Sequence, residues 1–257
     1  MEFPLNVLMQ AIADFMLPLC RISAMFALMT GIGARTVPTR IKMALAVAFT
    51  FMVMPALPKA EHVDLMSAFT VIQVLQQILI GLAMGFISMI FINTFVHAGQ
   101  ILAMQTGLGF SSLVDPSSGV NVPTIGQFYL ILGTLLFWVM DGHLVMLQMI
   151  VFSFQTLPLN GQWWDVSHYW SVVEFGAWLF STSLSIVLAP VTAMLLVNLA
   201  FGVMTRAAPQ LNIFSIGFPI TMLAGLIILW LTMNTFVFHF TEQWQHGIDV
   251  TCKLIGC

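Results

Sequence analysis

The amino-acid sequence predicts an all-α, polytopic membrane-type protein in which about six long helices form a single unit over residues 1–257. Two observations lead to this fold class. The chain is 60% hydrophobic and only 7% charged, whereas a soluble domain is about one quarter charged. The sequence also contains long stretches without charge, such as residues 65–114 and 207–241, and each exceeds the roughly 20 residues that a membrane-spanning helix needs.

Glycine and proline divide the apolar sequence into six helical regions. The interruptions are Gly31 and Gly33 before Pro38, then Pro55 and Pro58, then a loop rich in glycine and serine, then Pro158 to Gly161, and finally Pro209. The predicted helical regions cover residues 5–30, 40–57, 66–104, 126–157, 168–204 and 212–245.

The third region is too long for a simple membrane span. About 39 residues at 1.5 Å each would reach about 58 Å, against a hydrocarbon thickness of about 30 Å. Either the helix breaks near Gly81 and Gly85, or it continues beyond the bilayer while packed against other protein.

Polar and small residues of the third region fall on two faces of a helix. At 100° per residue, one face carries Gln73, Gln77, Gly81, Gly85 and Ser88, and the roughly opposite face carries Asn93, His97 and Gln100. Glycine allows close helix approach, and amides form hydrogen bonds between membrane helices. We therefore expect the helix to change its packing partners partway along.

Basic residues give an expectation for orientation. Arg35, Arg40 and Lys42 lie in the first connection and Arg206 in the fifth, so the odd-numbered connections are expected in the cytoplasm and both termini on the other side. The N-terminus carries Glu2 where a signal peptide would carry positive charge, so we expect no cleavable signal peptide.

Four ionisable residues lie in apolar surroundings, namely Asp14, Arg21, Asp141 and Glu174. Asp14 and Arg21 share one helix face but lie about 10 Å apart along the axis, so each needs another partner. A proton relay is one interpretation; structural contacts to neighbouring helices are the favoured one, because relays gather such groups near mid-membrane. For Asp141, the Asp-Gly dipeptide favours a local bend or helix end.

Several functional classes have no support in the sequence. Ten acids and seven bases form no basic patch, so we expect no nucleic acid partner. His97 with Gln100 lacks a second metal ligand at helical spacing and predicts hydrogen-bonded packing. Cys20 predicts a buried thiol, and the three cysteines imply no disulfide framework. With no catalytic spacing or phosphate-binding loop, we expect neither enzyme nor cofactor.

The loop FSSLVDPSSGVNVPTIG at 110–126 cannot continue a helix, because it contains four serines, two prolines and two glycines. Unpaired backbone groups in lipid cost several kcal/mol each, so such a segment lies outside the bilayer or inside a protein-walled channel. A second informative stretch, TRAAPQLNIFSIGFPI at 205–220, is either a plain hairpin tip or a functional one.

Two long motifs together carry a resemblance. NLAFGVMTRAAPQLNIFSIGFPI at 198–220 and AGQILAMQTGLGFSSLVDPSSG at 98–119 closely resemble the FliR family of the bacterial flagellar type III export apparatus. The resemblance extends over the chain in length, span pattern and motif order. It implies an export-gate subunit of the inner membrane and the flagellar basal body, whose assembled core is displaced from the bilayer plane.

The family resemblance also implies partners and a division of the chain. FliR proteins assemble with several copies of FliP and FliQ around a pore, FlhB docks on the cytoplasmic side, and unfolded flagellar subunits pass through. Residues 1–167 are then expected to be FliP-like and residues 168–245 a FliQ-like helical hairpin. The injectisome counterpart of this gate, and a proton-coupled secondary transporter, remain as alternatives.

Candidate site residues follow from the same resemblance. The family's plug loop corresponds to residues 106–125, with Phe110 as a constricting residue. The expected plug residues are Gly107, Gly109, Phe110, Ser111, Ser112, Leu113, Val114, Asp115 and Pro116. The expected partner-packing residues are Arg206, Pro209, Gln210, Asn212, Gln100 and Gln105.

Overall fold

The structure is a computed structural model that describes residues 5–58, 67–110, 112–114, 121–159, 166–207 and 217–257. Over these ranges the chain is helical apart from short turns and one two-stranded hairpin, which confirms the all-α fold class. The helices are α1 (Leu5–Leu28), α2 (Thr39–Val53), α3 (Ala68–Gln105), α4 (Thr124–Val139), α5 (Gly142–Thr156), α6 (Val166–Ala207) and α7 (Phe218–Ile255). The hairpin strands are β1 (Ser112–Val114) and β2 (Asn121–Pro123).

The fourth predicted helix is two helices in the structure. Asp141 has a left-handed backbone conformation, with φ of 55°, and α4 and α5 meet there at a bend of 63°. A left-handed residue cannot continue a right-handed helix, and aspartate tolerates this conformation better than most residues. The bend predicted from the Asp-Gly dipeptide is therefore confirmed, whereas the single helix over 126–157 is wrong.

The third region is one continuous helix of 38 residues, so of the two alternatives the break near Gly81 and Gly85 is excluded and the continuous helix remains. These glycines bring α3 close to α1 instead. A methyl group placed on Gly81 would lie 2.9 Å from Cβ of Ala24, and one on Gly85 would lie 2.6 Å from the carbonyl oxygen of Met25. Helical glycine costs about 1 kcal/mol relative to alanine without breaking the helix, and here it permits that approach.

The chain divides into two compact units. The first comprises Met1–Ile90, Phe137–Phe175 and Gly247–Cys257. Its core is built from α1, the N-terminal half of α3 and α5, and includes the fully buried Met25, Met84 and Phe154. The hydroxyl of Thr30 donates to the carbonyl oxygen of Ser88 at 2.8 Å, which ties α1 to α3.

The second unit comprises Phe91–Leu136 and Gly176–His246, and it has an aromatic core. Phe91 and Phe95 of α3 meet Phe240 of α7 at ring distances of 4.9 and 5.4 Å. Phe236 lies 5.1 Å from both Phe95 and Tyr129. Because α3 packs through polar groups and glycines in one unit and through aromatic rings in the other, the predicted change of partners along α3 is confirmed.

Several of the described helices meet the requirements for crossing a membrane. Five are long and apolar enough, and the bent pair of α4 and α5 would make a sixth span if it crosses as one. Length and composition therefore agree with the polytopic class predicted from the sequence.

One disulfide bond was not predicted. Cys252 in the last turns of α7 is bonded to Cys257, with Cα atoms 5.0 Å apart. Gly256, at φ of 80°, reverses the chain after α7 so that the amide of Cys257 donates to the carbonyl oxygen of Cys252 at 3.0 Å. This glycine helix end brings the two sulfurs together, which sequence spacing alone did not indicate. Cys20 is a free thiol, half-buried rather than fully buried.

Candidate functional site at the loop between α3 and α4

The loop begins at a defined helix end. The amide of Thr106 donates to the carbonyl oxygen of Leu102 at 3.1 Å, and its hydroxyl donates to the carbonyl oxygen of Ala103 at 3.1 Å. Gly107 follows with φ of 77°, a conformation that glycine adopts without steric cost. Thr106 and Gly107 thus end α3 as a glycine C-cap and fix the direction in which the loop leaves the helix.

Two residues of α7, Gly225 and Phe218, lie against the start of the loop. A methyl group placed on Gly225 would lie 2.7 Å from Cβ of Thr106, which is fully buried. A methyl group placed on Gly107 would lie 2.9 Å from Cε2 of Phe218. The first residues of the loop are therefore in close contact with α7.

The loop then forms a short antiparallel hairpin. A helical turn at Leu108–Phe110 leads to β1, and β1 pairs with β2 so that Leu113 lies opposite Val122. Valine on either side of Asp115–Gly119, at Val114 and Val122, is a weak hairpin signal, which explains why the sequence did not predict the pairing. Between α3 and α4, the described residues form this helical turn and this pairing, so the predicted interruption of the helix is confirmed.

The loop returns to α3 through a second close contact. A methyl group placed on Gly99 would lie 2.8 Å from Cα of Gly126 and 2.9 Å from the carbonyl oxygen of Ile125. Both ends of the loop are therefore fixed, one against α7 and one against α3. Glycines inside apolar helices were the available signal for these contacts.

Part of the predicted plug lies among the described residues. The backbone is described for Gly107, Gly109, Phe110 and β1, while Ser111, Asp115 and Pro116 lie outside the described residues. A methyl group on Gly109 would lie 3.3 Å from Cα of Met104, so the turn folds back over the last residues of α3.

The predicted partner-packing residues are dispersed. Arg206 is exposed in the last turn of α6. Gln100 bonds to Nδ1 of His97 at 3.1 Å, and the His97 ring lies 5.9 Å from that of Phe180, an arrangement that fits the predicted packing role for His97. Gln105 is the half-buried last residue of α3. Pro209, Gln210 and Asn212 lie outside the part of the chain that the structure describes.

Arg21 connects neighbouring helices, which agrees with the structural role favoured from the sequence. Its side chain is fully buried, Nε donates to Oε1 of Gln77 at 2.7 Å, and the terminal nitrogens donate to the carbonyl oxygens of Ser153 and Leu157 at 2.8 and 2.9 Å. The guanidinium carbon also lies 4.2 Å above the ring of Phe154. The planar, five-donor guanidinium therefore joins α1, α3 and α5 through neutral acceptors.

The other ionisable residues predicted as relay candidates have different surroundings from those of Arg21. Asp14 accepts a hydrogen bond from Gln10 at 3.2 Å on its own helix. Asp141 and Glu174 are exposed, and Asp141 lies at the bend between α4 and α5. The exposed positions of Asp141 and Glu174 do not fit the buried, neighbouring groups that a proton relay gathers near mid-membrane.

Comparison with known proteins places the chain in a family. The family model described as bacterial export proteins, family 1, matches residues 12–247. The flagellar biosynthetic protein FliR of Escherichia coli (strain K12) is 37% identical over 212 residues, which is 82% of this chain and 81% of the relative. FliR of Pectobacterium carotovorum subsp. carotovorum is 34% identical over 95% of this chain and 94% of the relative. FliR of Bacillus subtilis (strain 168) is 26% identical over 90% of both chains.

These matches extend along nearly all of the chain and agree with its long apolar helices. The chain therefore belongs to the FliR family of bacterial export proteins, and it is a membrane-embedded component of flagellar protein export.

Proposed function

We propose that this chain forms, with several copies of FliP and FliQ, a gated pore through which unfolded flagellar subunits leave the cytoplasm. FlhB docks on the cytoplasmic side of this assembly, which lies at the inner membrane in the flagellar basal body. The chain supplies the wall and the gate and catalyses no reaction. The energy for transport comes from the proton motive force and from partner proteins.

The observation that carries this proposal is the loop between α3 and α4. It connects two apolar helices through small and polar residues, and both of its ends are fixed by close glycine contacts. Irregular backbone at membrane depth is stable only where protein or water surrounds it. A segment with fixed ends and a small-residue middle fits a plug that closes a protein-walled conduit.

The composition of the loop fits that role. Between Gly107 and Pro123 it has one charged residue, Asp115, so it offers few charges to a passing chain. Glycine and serine give the backbone freedom to move aside. Phe110 supplies the bulk that narrows the conduit, and the neighbouring plug residues follow it along the chain.

Support for protein partners comes from α6 and α7. In an 18-residue apolar stretch of each helix, only 17% of the residues of α6 and 11% of those of α7 are buried within this chain. The 38-residue apolar segment of each helix is about 57 Å long, roughly twice the hydrocarbon thickness. Lipid can cover about half of that length, so the remaining exposed surface requires protein.

This exposed surface supports the proposed division of the chain. Residues 168–245 then correspond to a FliQ-like hairpin that packs beside FliQ copies, and residues 1–167 correspond to a FliP-like part. Leu188, Leu196 and Trp230 are among the exposed apolar residues of the hairpin. Arg206, Gln100 and Gln105, together with Pro209, Gln210 and Asn212, are assigned to partner packing.

The gate is tested by replacing the plug in the assembled complex. Gly99 and Thr106 are seven residues apart on α3, so the two ends of the loop lie about 10 Å apart and a Gly–Ser linker of about five residues can join them. Replacing Leu108–Val122 by this linker keeps both ends and removes Phe110 and the hairpin.

We expect the linker variant to assemble with FliP and FliQ and to leak ions, measured as conductance across a bilayer that contains the purified complex. A scrambled loop of the same length and composition that keeps Phe110 is the matched control for loop bulk. Wild-type conductance in a fully assembled linker variant would reject the plug.

A further inference from the structure

We infer that the contact between Thr106 and Gly225 is a latch by which α7 holds the plug in its closed position. This inference rests on the proposed gate function. Thr106 and Gly225 are positioning residues. They act on the conduit through the loop that follows Thr106 and not by direct contact with substrate.

The close contact between α3 and α7 is possible because Gly225 has no side chain. Thr106 is fully buried, and its side chain occupies the space that a methyl group on Gly225 would need. That methyl group would contact Cγ2 of Thr106 and lie 2.7 Å from its Cβ, a distance at which one of the two helices must shift. The hydroxyl of Thr106 bonds within α3 to Ala103, so its methyl group can be altered as a separate element.

A second contact reinforces the first at the next residue of the loop. Phe218 lies seven residues before Gly225, about 10 Å along α7, and its ring faces Gly107. Gly107 has a left-handed backbone, so a side chain there would be strained as well as obstructed. Two consecutive residues at the start of the loop are thus held by two points on α7.

The start of the loop lies against the first two turns of α7, whereas its end at Gly126 lies against Gly99 of α3. Helix α7 also contacts α4 through Phe236 and Tyr129, but that contact lies further along α7. A shift of the first turns of α7 therefore acts directly on the start of the loop. This gives the α6–α7 hairpin a mechanical means to open the plug.

The experiment changes the side chains on the two sides of the contact, first separately and then together, in the assembled complex. Gly225→Ala adds a methyl group against Thr106, and Thr106→Gly removes the side chain that it meets. The double variant Thr106→Gly with Gly225→Ala restores a filled contact. Thr106→Ser removes only Cγ2 and is the mildest change. Gly202→Ala is the matched control, because nothing lies within 4 Å of the position of its added methyl group.

We expect Gly225→Ala to raise ion conductance of the complex at least about fivefold, the factor that a modest shift in a two-state equilibrium produces. Thr106→Gly and Thr106→Ser should give smaller increases. The double variant should return to within about twofold of wild type, because the two changes compensate when the residues touch. Gly202→Ala should match wild type.

The results test the latch and the proposed gate function separately. If the linker variant of the plug does not leak, the proposed function fails. If the linker variant leaks while Gly225→Ala and both Thr106 variants are as tight as wild type, the latch alone is overturned. A double variant as leaky as Gly225→Ala would also overturn it. Should Gly225→Ala fail to assemble, the conductance of Thr106→Gly decides, and a wild-type value overturns the latch.

Discussion

Helices α3 and α7 have the same length and similar apolar character, but the chain buries them very differently. Each has 38 residues, but in an 18-residue apolar stretch 61% of the residues of α3 are buried against only 11% of those of α7. Length and hydropathy therefore do not decide which helix forms the core of this chain. The difference in burial depends on the positions of small and polar residues along each helix.

In α3, small and polar residues connect it to other helices. Gly81 and Gly85 allow contact with α1, and Gln73 donates to the carbonyl oxygen of Leu159 at 3.4 Å. In α7, by contrast, Thr221, Thr235 and Thr241 donate to carbonyl oxygens of their own helix. The chain thus buries more of α3 than of α7, and it leaves the face of α7 that carries Leu223, Leu226 and Trp230 to something outside it.

The largest effect on stability should come from a side chain that fills the space where α3 lies close to α1. Gly81→Val places a branched side chain against the backbone of Arg21 and against Ala24, which forces the helices apart. We expect a loss of about 4 kcal/mol or more in the free energy of unfolding, because backbone cannot move aside as a side chain can. The measurement is thermal stability and monodisperse yield in detergent.

Gly202→Val is the matched control for Gly81→Val, because the added Cβ at position 202 meets nothing within 4 Å. It should not lower the free energy of unfolding, because valine has a slightly higher helix propensity than glycine. Equal losses from the two variants would contradict the role of Gly81 in helix approach.

The next largest effect should follow removal of the buried charge at Arg21. Arg21→Met keeps the length of the side chain but removes the donor to Oε1 of Gln77 and to the carbonyl oxygen of Leu157, whereas the carbonyl oxygen of Ser153 still accepts from the amide of Leu157. We expect a loss of about 3 kcal/mol in unfolding free energy, since each stranded buried polar group costs about 1–3 kcal/mol. Thermal unfolding in detergent measures it.

Arg21→Lys tests whether charge or shape matters at this position. Lysine keeps the charge but lacks the planar fork, so it cannot reach all three acceptors at once. A lysine variant as stable as wild type would show that the charge alone is sufficient and would contradict the bridging role of the guanidinium.

A smaller effect, confined to assembly, should follow a change on the exposed face of α7. Trp230 is 73% exposed in this chain, so Trp230→Ala should leave thermal stability of the isolated chain unchanged. We expect it to weaken co-purification with FliP and FliQ by about 2 kcal/mol, or roughly thirtyfold, as for a tryptophan at the centre of an interface.

Trp244→Ala is the contrasting variant on the same helix. Trp244 is buried, and its ring lies 5.1 Å from that of Phe91, so its loss should lower the stability of the isolated chain. If Trp230→Ala assembled as well as wild type, lipid and not protein would be the occupant of that part of α7.

Local signals made much of the fold predictable. Charge-free stretches predicted the polytopic helical class, and the Asp-Gly dipeptide predicted the bend at Asp141. Helical periodicity predicted that Gln77 and Gly81 share a face, and both contact the first helix through Arg21. Each of these signals depends on residues within a few helical turns, which is the range over which sequence alone constrains the backbone.

Long-range pairings could not be predicted. Glycine in α3 was compatible with either a break or a close approach, and only the position of α1 decides between them. The partners of Arg21 are separated from it by up to 136 residues. Likewise, nothing near Thr106 in the sequence indicates that Gly225 leaves space for its side chain. The plug and partner assignments stay predictions, because they concern an assembly and not a single chain.

The most direct test places a photo-crosslinking amino acid at Leu113 of the loop or at Trp230 of α7, in complexes holding a stalled export substrate. We predict that position 113 captures the substrate and that position 230 captures a FliP or FliQ subunit. A loop position that captures only lipid or no protein, together with substrate captured at position 230, would contradict the account.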